Sequence, residues 1–123
     1  MGLTHVDMKV MGPSRRKSVT VRLLVDSGAA FTIVPGDILR KLGVRPDDVQ
    51  RFELANGETV ERKIGGAWFE FEGRRGPGPV VFGEPGDANL LGVVTLECLR
   101  LGLDPLRREI KPMRPLTIRL APT

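Results

Sequence analysis

An aspartate at the end of an apolar run is the feature of this sequence with the clearest chemical potential. Asp26 follows the apolar segment Leu23–Val25 and is itself followed by Ser27 and Gly28. A lone carboxylate is costly to bury unless it is paired, hydrogen-bonded or protonated. A carboxyl group in such a setting is a candidate for proton transfer, and the simpler alternative is a turn aspartate that caps its own loop. The segment therefore predicts an acid or base at Asp26.

Other catalytic chemistries lack the residues that they need. Ser27 would require a base to act as a nucleophile, but the only histidine, His5, lies near the N-terminus, and the sequence has no Gly-x-Ser-x-Gly motif. Cys98 is the single cysteine, which excludes an internal disulfide and favours a reducing, cytoplasmic location. We expect Cys98 to lie in a helix core, and we expect neither a metal ion nor a cofactor.

Length and composition predict one domain over residues 1–123. The 123 residues allow a modest core, and no apolar run reaches the roughly 18 residues of a membrane span, so we expect no membrane partner. The net charge is +4, with basic clusters at Arg15–Lys17, Arg74–Arg75 and Arg107–Arg108 beside Gly or Pro. Solvated loop charge is the simplest interpretation of these clusters, and a phosphate-binding surface is the alternative. The scarcity of aromatic residues argues against nucleic acid as a partner.

Alternating apolar residues predict a hairpin that leads into the Asp26 loop. The two alternating runs are Val6–Val10 and Val19–Leu23, and Gly12–Arg16 separates them. After the loop, Phe31–Val34 is β-branched and aromatic, which predicts a short strand. One or two helical turns are expected over Pro35–Gly43, because Pro suits the start of a helix and Gly its end.

The middle of the chain contains a strong hairpin signal. Asn56-Gly57 lies between alternating segments and predicts a tight type I′ turn, in which both central residues take positive φ. The pattern then predicts a strand over Ile64–Glu72, a second turn over Gly73–Gly78 and a short strand over Pro79–Phe82.

The last third of the chain predicts the best helix. A short buried strand is expected over Asn89–Gly92, followed by a helix over Val93–Leu101 that stops at Gly102. Asp104 is expected to cap a turn, and Leu116–Leu120 alternates as a terminal strand. Many short strands with one real helix predict an all-β, barrel-like domain.

Three motifs in this order resemble the retropepsin-like (retroviral-type) aspartic proteases, especially their short prokaryotic members. The segment Leu24–Ala29 is similar to the hydrophobic-hydrophobic-Asp-Ser/Thr-Gly-Ala catalytic loop of that family. The Asn56-Gly57 hairpin is similar to the family's flap, and Leu90–Gly92 with the following helix is similar to its hydrophobic-hydrophobic-Gly segment. The resemblance covers roughly Val19–Pro105. Order and spacing carry the signal, because each motif alone is common.

The resemblance implies a fold, an assembly and a role for each site residue. It implies a closed β-barrel of the acid-protease type with one short C-terminal helix, and a homodimeric aspartic endopeptidase that cleaves an extended peptide. Because the chain has only one Asp-Ser/Thr-Gly motif, two subunits would each lend one Asp26 carboxyl to activate water. The supporting residues are Ser27, Gly28 and Ala29 in the catalytic loop, Ala55, Asn56 and Gly57 in the flap, and Leu91 and Gly92 as a hydrophobic floor.

Two alternatives of other classes stay open at this point. One is a catalytically silent member of the same fold that serves as a peptide-binding or dimerisation module. The other is a basic nucleic-acid-binding barrel, which would bind heparin with a steep salt dependence and cleave no peptide. The role of residues 111–123, at the dimer interface or free of it, is also open, as is the identity of the substrate.

Overall fold

The structure is a computed structural model that describes residues 4–104, 106–113, 118 and 120. In this part of the chain strands predominate, and the two helices, Gly36–Lys41 (α1) and Val93–Cys98 (α2), are short. The strands are His5–Met11 (β1), Ser18–Val25 (β2), Thr32–Pro35 (β3), Asp48–Glu53 (β4), Thr59–Phe71 (β5), Arg74–Gly83 (β6), Leu90–Leu91 (β7), Leu101–Asp104 (β8) and Glu109–Pro112 (β9). The prediction of an all-β fold is confirmed.

The main sheet closes on itself as a ring of strands. Its order is β1-β2-β7-β3-β6-β5-β4, and β1 also pairs with β5 through the register Val10↔Phe69. Strand β4 pairs with β5 and extends outside the ring, while β8 and β9 form a separate two-stranded sheet. The core fills the inside of the ring, with Leu23, Leu91 and Phe69 fully buried.

The first predicted hairpin is confirmed, and its register explains why. Met8 and Val10 of β1 are fully buried and alternate with the exposed residues Asp7 and Lys9. Met8 pairs with Val21 of β2, so the apolar sides of both strands face the same core. A shift of one residue would turn every one of these side chains to solvent.

Helix α2 is shorter than the sequence pattern predicts. The helix ends at Cys98 rather than at Leu101, because Arg100 takes a left-handed backbone conformation with φ of 58°. Leu101 then enters β8 and pairs with Pro112 of β9, a hairpin that the sequence analysis did not predict. Gly102, which was expected to stop the helix, lies within that strand. Helix α1 is present as predicted and begins directly after Pro35.

The second turn also differs from its prediction. The chain reverses at Glu72 and Gly73, which have φ of 50° and 81°. Strand β6 therefore begins at Arg74, and the rest of the predicted turn Gly73–Gly78 lies within this strand. Helix α2 packs closely against this strand at Gly76, where a Cβ would lie 2.7 Å from the carbonyl oxygen of Cys98. Glycine is therefore the residue that allows this contact. Glycine within a strand often marks such a close approach of backbone.

Two remaining predictions concern the end of the chain and membranes. The expected turn cap is confirmed, since Asp104 Oδ1 accepts hydrogen bonds from the backbone N–H groups of Leu106 and Arg107. The expected strand over Leu116–Leu120 lies largely outside the described residues. None of the described helices has the length and apolarity to cross a membrane.

Candidate active site

The Asp26 carboxylate is held by its own loop. Strand β2 ends at Val25, and the Gly28 N–H donates to Asp26 Oδ1 over 2.9 Å. The Ala29 N–H donates to the Asp26 carbonyl over 3.1 Å, which closes the turn. Asp26 is half-buried in the single chain, whereas Ser27 and Gly28 are exposed. A local turn thus fixes one carboxylate oxygen, while Ser27 and Gly28 stay exposed.

Residues predicted as a hydrophobic floor lie directly behind this loop. Val25 pairs in parallel with Leu91, and the Asp26 N–H donates to the Leu91 carbonyl over 3.2 Å. Leu91 is fully buried and Gly92 is buried beside it. A Cβ on Gly92 would press on the Ala30 carbonyl and lie 2.6 Å from the carbonyl carbon of Phe31, so only glycine fits here without displacing the loop.

The start of α2 binds the far side of the same loop. Three consecutive N–H groups at this end of the helix donate outward: Gly92 to Thr32 Oγ1 over 3.0 Å, Val93 to the Ala29 carbonyl over 3.0 Å and Val94 to the Ala30 carbonyl over 3.1 Å. The first N–H groups of a helix have no partner within it and must find acceptors elsewhere. Here the Asp26 loop supplies those acceptors, so the helix and the loop hold each other in place.

The hairpin predicted as a flap is present, but its turn is of a different type. Of the two central residues, Asn56 and Gly57, only Gly57 has positive φ, at 90°. The Gly57 N–H donates to the Leu54 carbonyl. Asn56 stays at negative φ and its Oδ1 accepts from the Glu58 N–H over 2.9 Å. The prediction of a type I′ turn is therefore wrong, and the pattern is typical of a type I turn followed by a glycine bulge. The tip residue Ala55 is exposed, as are Asn56 and Gly57.

A cleft of about 390 Å³ lies between the Asp26 loop and the base of this hairpin. Gly28, Ala29 and Ala30 line one side, and Phe52, Leu54 and Val60 line the other. Phe31 and Phe52 meet across it edge to face, with ring centroids 6.2 Å apart. The structure therefore brings the predicted loop residues Gly28 and Ala29 together with the hairpin base. It does not place Asp26, Ser27 or the hairpin tip among the residues that line this cleft.

An ion pair that the sequence analysis missed also lines the cleft. Arg62 of β5 donates from Nε to Asp87 Oδ2 over 2.7 Å and from Nη2 to Oδ1 over 2.9 Å. These hydrogen bonds lower the pKa of Asp87 and raise the pKa of Arg62. The two residues are 25 positions apart in loop and strand, so no local sequence pattern could have paired them.

Thr32 is another structurally important residue that the sequence analysis missed. It is fully buried, although it carries a hydroxyl, and its Oγ1 accepts a hydrogen bond from the Gly92 N–H. Its signal was a hydroxyl residue between Phe31 and Ile33 in an otherwise apolar strand.

Among the described residues, no cluster of three or more His, Cys, Asp or Glu side chains is arranged to hold a metal ion. Cys98 is half-buried at the end of α2, and His5 is exposed on β1.

Comparison with known proteins finds a matching family and a similar fold. The model of a family described as aspartyl protease matches residues 6–95, which include the Asp26 loop, the hairpin and Leu91-Gly92. The solution structure of the simian foamy virus (mac) protease superposes with a TM-score of 0.55 at 21% sequence identity. That match covers 76% of this chain and 92% of the viral one, and at this identity it establishes similarity of fold. The search of curated proteins found no match.

Proposed function

This chain belongs to the aspartyl protease family and has the fold of a retroviral protease, and from that premise we propose that it is a homodimeric aspartic endopeptidase. Family and fold together support a peptide hydrolase. The finer proposal is that Asp26 of each subunit contributes one carboxyl group to a shared catalytic centre. A two-fold axis would bring the two groups together, since an isologous interface places the same residue of both copies at the axis.

The geometry of the Asp26 loop is the observation that carries this proposal. One Oδ1 atom is fixed by the Gly28 N–H, and the loop is anchored from behind by Leu91 and α2. Ser27 and Gly28 of the same loop are exposed in the single chain. Such a loop is preorganised and also exposed, which suits docking against a second copy of itself.

In the proposed dimer, two carboxyls about 3 Å apart share one proton, because like charges at that distance do not both ionise. The ionised carboxylate takes a proton from water as the water oxygen bonds to the carbonyl carbon of the peptide. The protonated carboxyl donates its proton to the carbonyl oxygen, which gives a tetrahedral diol. As the diol collapses, one of its hydroxyl protons passes to the carboxylate that is now ionised and the C–N bond breaks. The leaving nitrogen takes the proton that the other carboxyl had received from water, which restores the starting pair.

The neighbouring residues have supporting roles in this proposal. The Ser27 hydroxyl would bridge backbone groups of the two loops, and Leu91 with Gly92 would keep water from the back of the site. The hairpin tip at Ala55, Asn56 and Gly57 would cover an extended peptide and hydrogen-bond its main chain. The apolar cleft beside Phe31 and Phe52 would receive a side chain of that peptide. We keep the reducing cytoplasm as the proposed compartment, because the chain has a single cysteine.

Replacement of the proposed catalytic carboxyl tests this function. Asp26→Asn keeps the shape of the side chain but cannot take a proton from water, so we expect no cleavage of a peptide library at mildly acidic pH. Dimerisation and thermal unfolding should match the wild type, because the amide oxygen can still accept from the Gly28 N–H. Asp47→Asn, at an exposed position, is the matched control and should cleave normally.

The Asp26→Asn assay and two binding measurements on the wild type separate the alternatives. Cleavage by Asp26→Asn would overturn the assignment of Asp26. A wild-type protein that binds peptides or a statine-type transition-state mimic without cleaving them would be the catalytically silent member of the fold. Retention on heparin with a steep salt dependence and no cleavage would favour nucleic-acid binding.

A further inference from the structure

Two buried threonines form a hydroxyl pair beneath the Asp26 loop. In the described part of the chain, Thr32 and Thr95 are the fully buried polar residues, both at 0% exposure. Their Oγ1 atoms lie 2.5 Å apart, and either hydroxyl can donate to the other. Thr32 Oγ1 also accepts the Gly92 N–H. A buried hydroxyl is costly without partners, so this pair needs its contacts to be kept.

The pair is connected to Asp26 through one dipeptide. At the start of the loop, the Asp26 N–H donates to the carbonyl of Leu91. At its end, six residues later, Thr32 accepts the N–H of the next residue, Gly92. Both ends of the loop are therefore fixed to Leu91-Gly92. Thr95 lies on the first turn of α2, and its Oγ1 shares a hydrogen bond with Thr32 Oγ1, so the pair ties the end of the loop to the helix.

We propose that Thr32 and Thr95 are positioning residues that place the Asp26 carboxyl for catalysis; this inference rests on the proposed function. Both threonine side chains are fully buried, so they are out of reach of a substrate and can act only through the loop. Its loss should leave peptide binding intact and shift the loop by a fraction of an ångström. Misplacement of a catalytic group by about 1 Å can cost about 100-fold in rate. The effect should therefore fall on kcat rather than on KM.

Thr95→Val and Thr95→Ser distinguish the hydroxyl from the shape of the side chain. Valine keeps the volume and removes the hydroxyl, and we expect kcat to fall about tenfold while KM stays within about twofold of the wild type. Serine keeps the hydroxyl, and we expect it to restore most of kcat. Thr32→Val removes the acceptor of the Gly92 N–H as well as the pair, so its loss of kcat should be larger.

A spectroscopic measurement reports on the loop without any cleavage assay. The amide proton of Gly28 donates to Asp26 Oδ1, so its NMR chemical shift follows the length of that hydrogen bond. We expect this resonance to move in Thr95→Val and to stay in place in Thr95→Ser. Val10→Ala is the control, because Val10 is a core residue of β1 that pairs with Val19 and Phe69, at the other end of the strands from Asp26. It should lower stability and leave the Gly28 resonance unchanged.

The outcomes separate this inference from the proposed function. If the wild type cleaves peptides but Thr95→Val has normal kcat and an unmoved Gly28 resonance, the positioning role is wrong. A kcat loss that Val10→Ala reproduces at equal loss of stability would also overturn it. If the wild type cleaves nothing, the proposed function fails, and the Gly28 resonance alone decides whether the threonine pair positions the loop.

Discussion

Arg62 and Asp87 form a bidentate ion pair that joins the long strand β5 to the loop that precedes β7. Both carboxylate oxygens of Asp87 accept from the Arg62 guanidinium, and Oδ2 also accepts from the Glu84 N–H over 2.8 Å. The two side chains are about one-fifth exposed, at 19% and 22%. Since Arg62 lies in the strand that carries the hairpin and Asp87 lies in the loop leading to Leu91, the pair ties the hairpin strand to that loop beside the cleft.

Loss of this pair should destabilise the fold. In Arg62→Met the apolar stem remains but Asp87 loses two charge-assisted hydrogen bonds, so we expect the free energy of unfolding to fall by about 1–3 kcal/mol. Urea unfolding followed by Trp68 fluorescence measures this. Arg40→Met is the matched control, because the Arg40–Asp37 pair is exposed and should contribute less than about 1 kcal/mol. Equal losses in both variants would contradict the structural role of Arg62.

The contribution of the ion pair should disappear in acid. The hydrogen bonds from Arg62 lower the pKa of Asp87 in the folded protein. Ionised Asp87 therefore stabilises the fold fully at pH values above the ordinary aspartate pKa of about 3.9. This stabilisation is lost as the pH falls through the lower pKa of the folded state. We expect the difference in unfolding free energy between wild type and Asp87→Asn to be constant from pH 7 to about pH 5. It should shrink progressively as the pH falls below the ordinary aspartate pKa, because the folded-state pKa of Asp87 is lower still. A difference that stays constant throughout this acid range would show that Asp87 is not the group responsible.

Activity per chain should fall on dilution. If each subunit lends one Asp26 to the active site, the active fraction follows the dimer fraction by mass action. Initial rates measured over a range of chain concentrations should therefore drop below the dissociation constant, and sedimentation should show monomers in the same range. Activity that is independent of concentration, with monomers present, would place the catalytic centre within one chain.

Truncation of Phe52 should weaken substrate binding. Phe52 lines the cleft and contacts Phe31 edge to face, so Phe52→Ala removes one apolar wall and the contact between hairpin and loop. We expect KM for a peptide with a bulky apolar residue at the cleavage site to rise about tenfold, which corresponds to about 1.4 kcal/mol of lost binding. Val49→Ala lies in the same strand at an exposed position and serves as the control. A rise in KM for both variants would point to loosening of the hairpin rather than to the cleft.

A methyl group on Gly92 should disrupt the site. In Gly92→Ala the new Cβ would meet backbone atoms of Ala30 and Phe31, which cannot move without the Asp26 loop. We expect a loss of stability of about 1–3 kcal/mol and a loss of kcat of about 100-fold. Gly66→Ala is the control, since its nearest contact would be the Gly78 carbonyl oxygen at 4.0 Å. Thermal unfolding and peptide cleavage measure the two effects, and an active, stable Gly92→Ala would show that the loop can yield.

Local patterns in the sequence were sufficient for several elements of the fold and for the outline of the site. The alternation in β1 and β2 predicted their hairpin, because burial of every second residue is visible within a single strand. Asp26 with Gly28, and Leu91 with Gly92, were predicted from short motifs whose order along the chain resembles one family. The structure places Leu91 and Gly92 directly behind the Asp26 loop.

Tertiary contacts decided the features that such patterns do not contain. Strand β6 extends through Gly76 and Pro77, against their turn preference, because β5 and α2 pack on either side of it. Helix α2 ends early because Arg100 takes a left-handed conformation, and Leu101 then pairs with β9.

The pairs Arg62–Asp87 and Thr32–Thr95 join residues 25 and 63 positions apart. The sequence by itself determined which residues carry the candidate chemistry and the local turns that present them. Only the folded chain decided which distant side chains meet beside the cleft and which support the loop, because those contacts depend on which distant strands lie side by side.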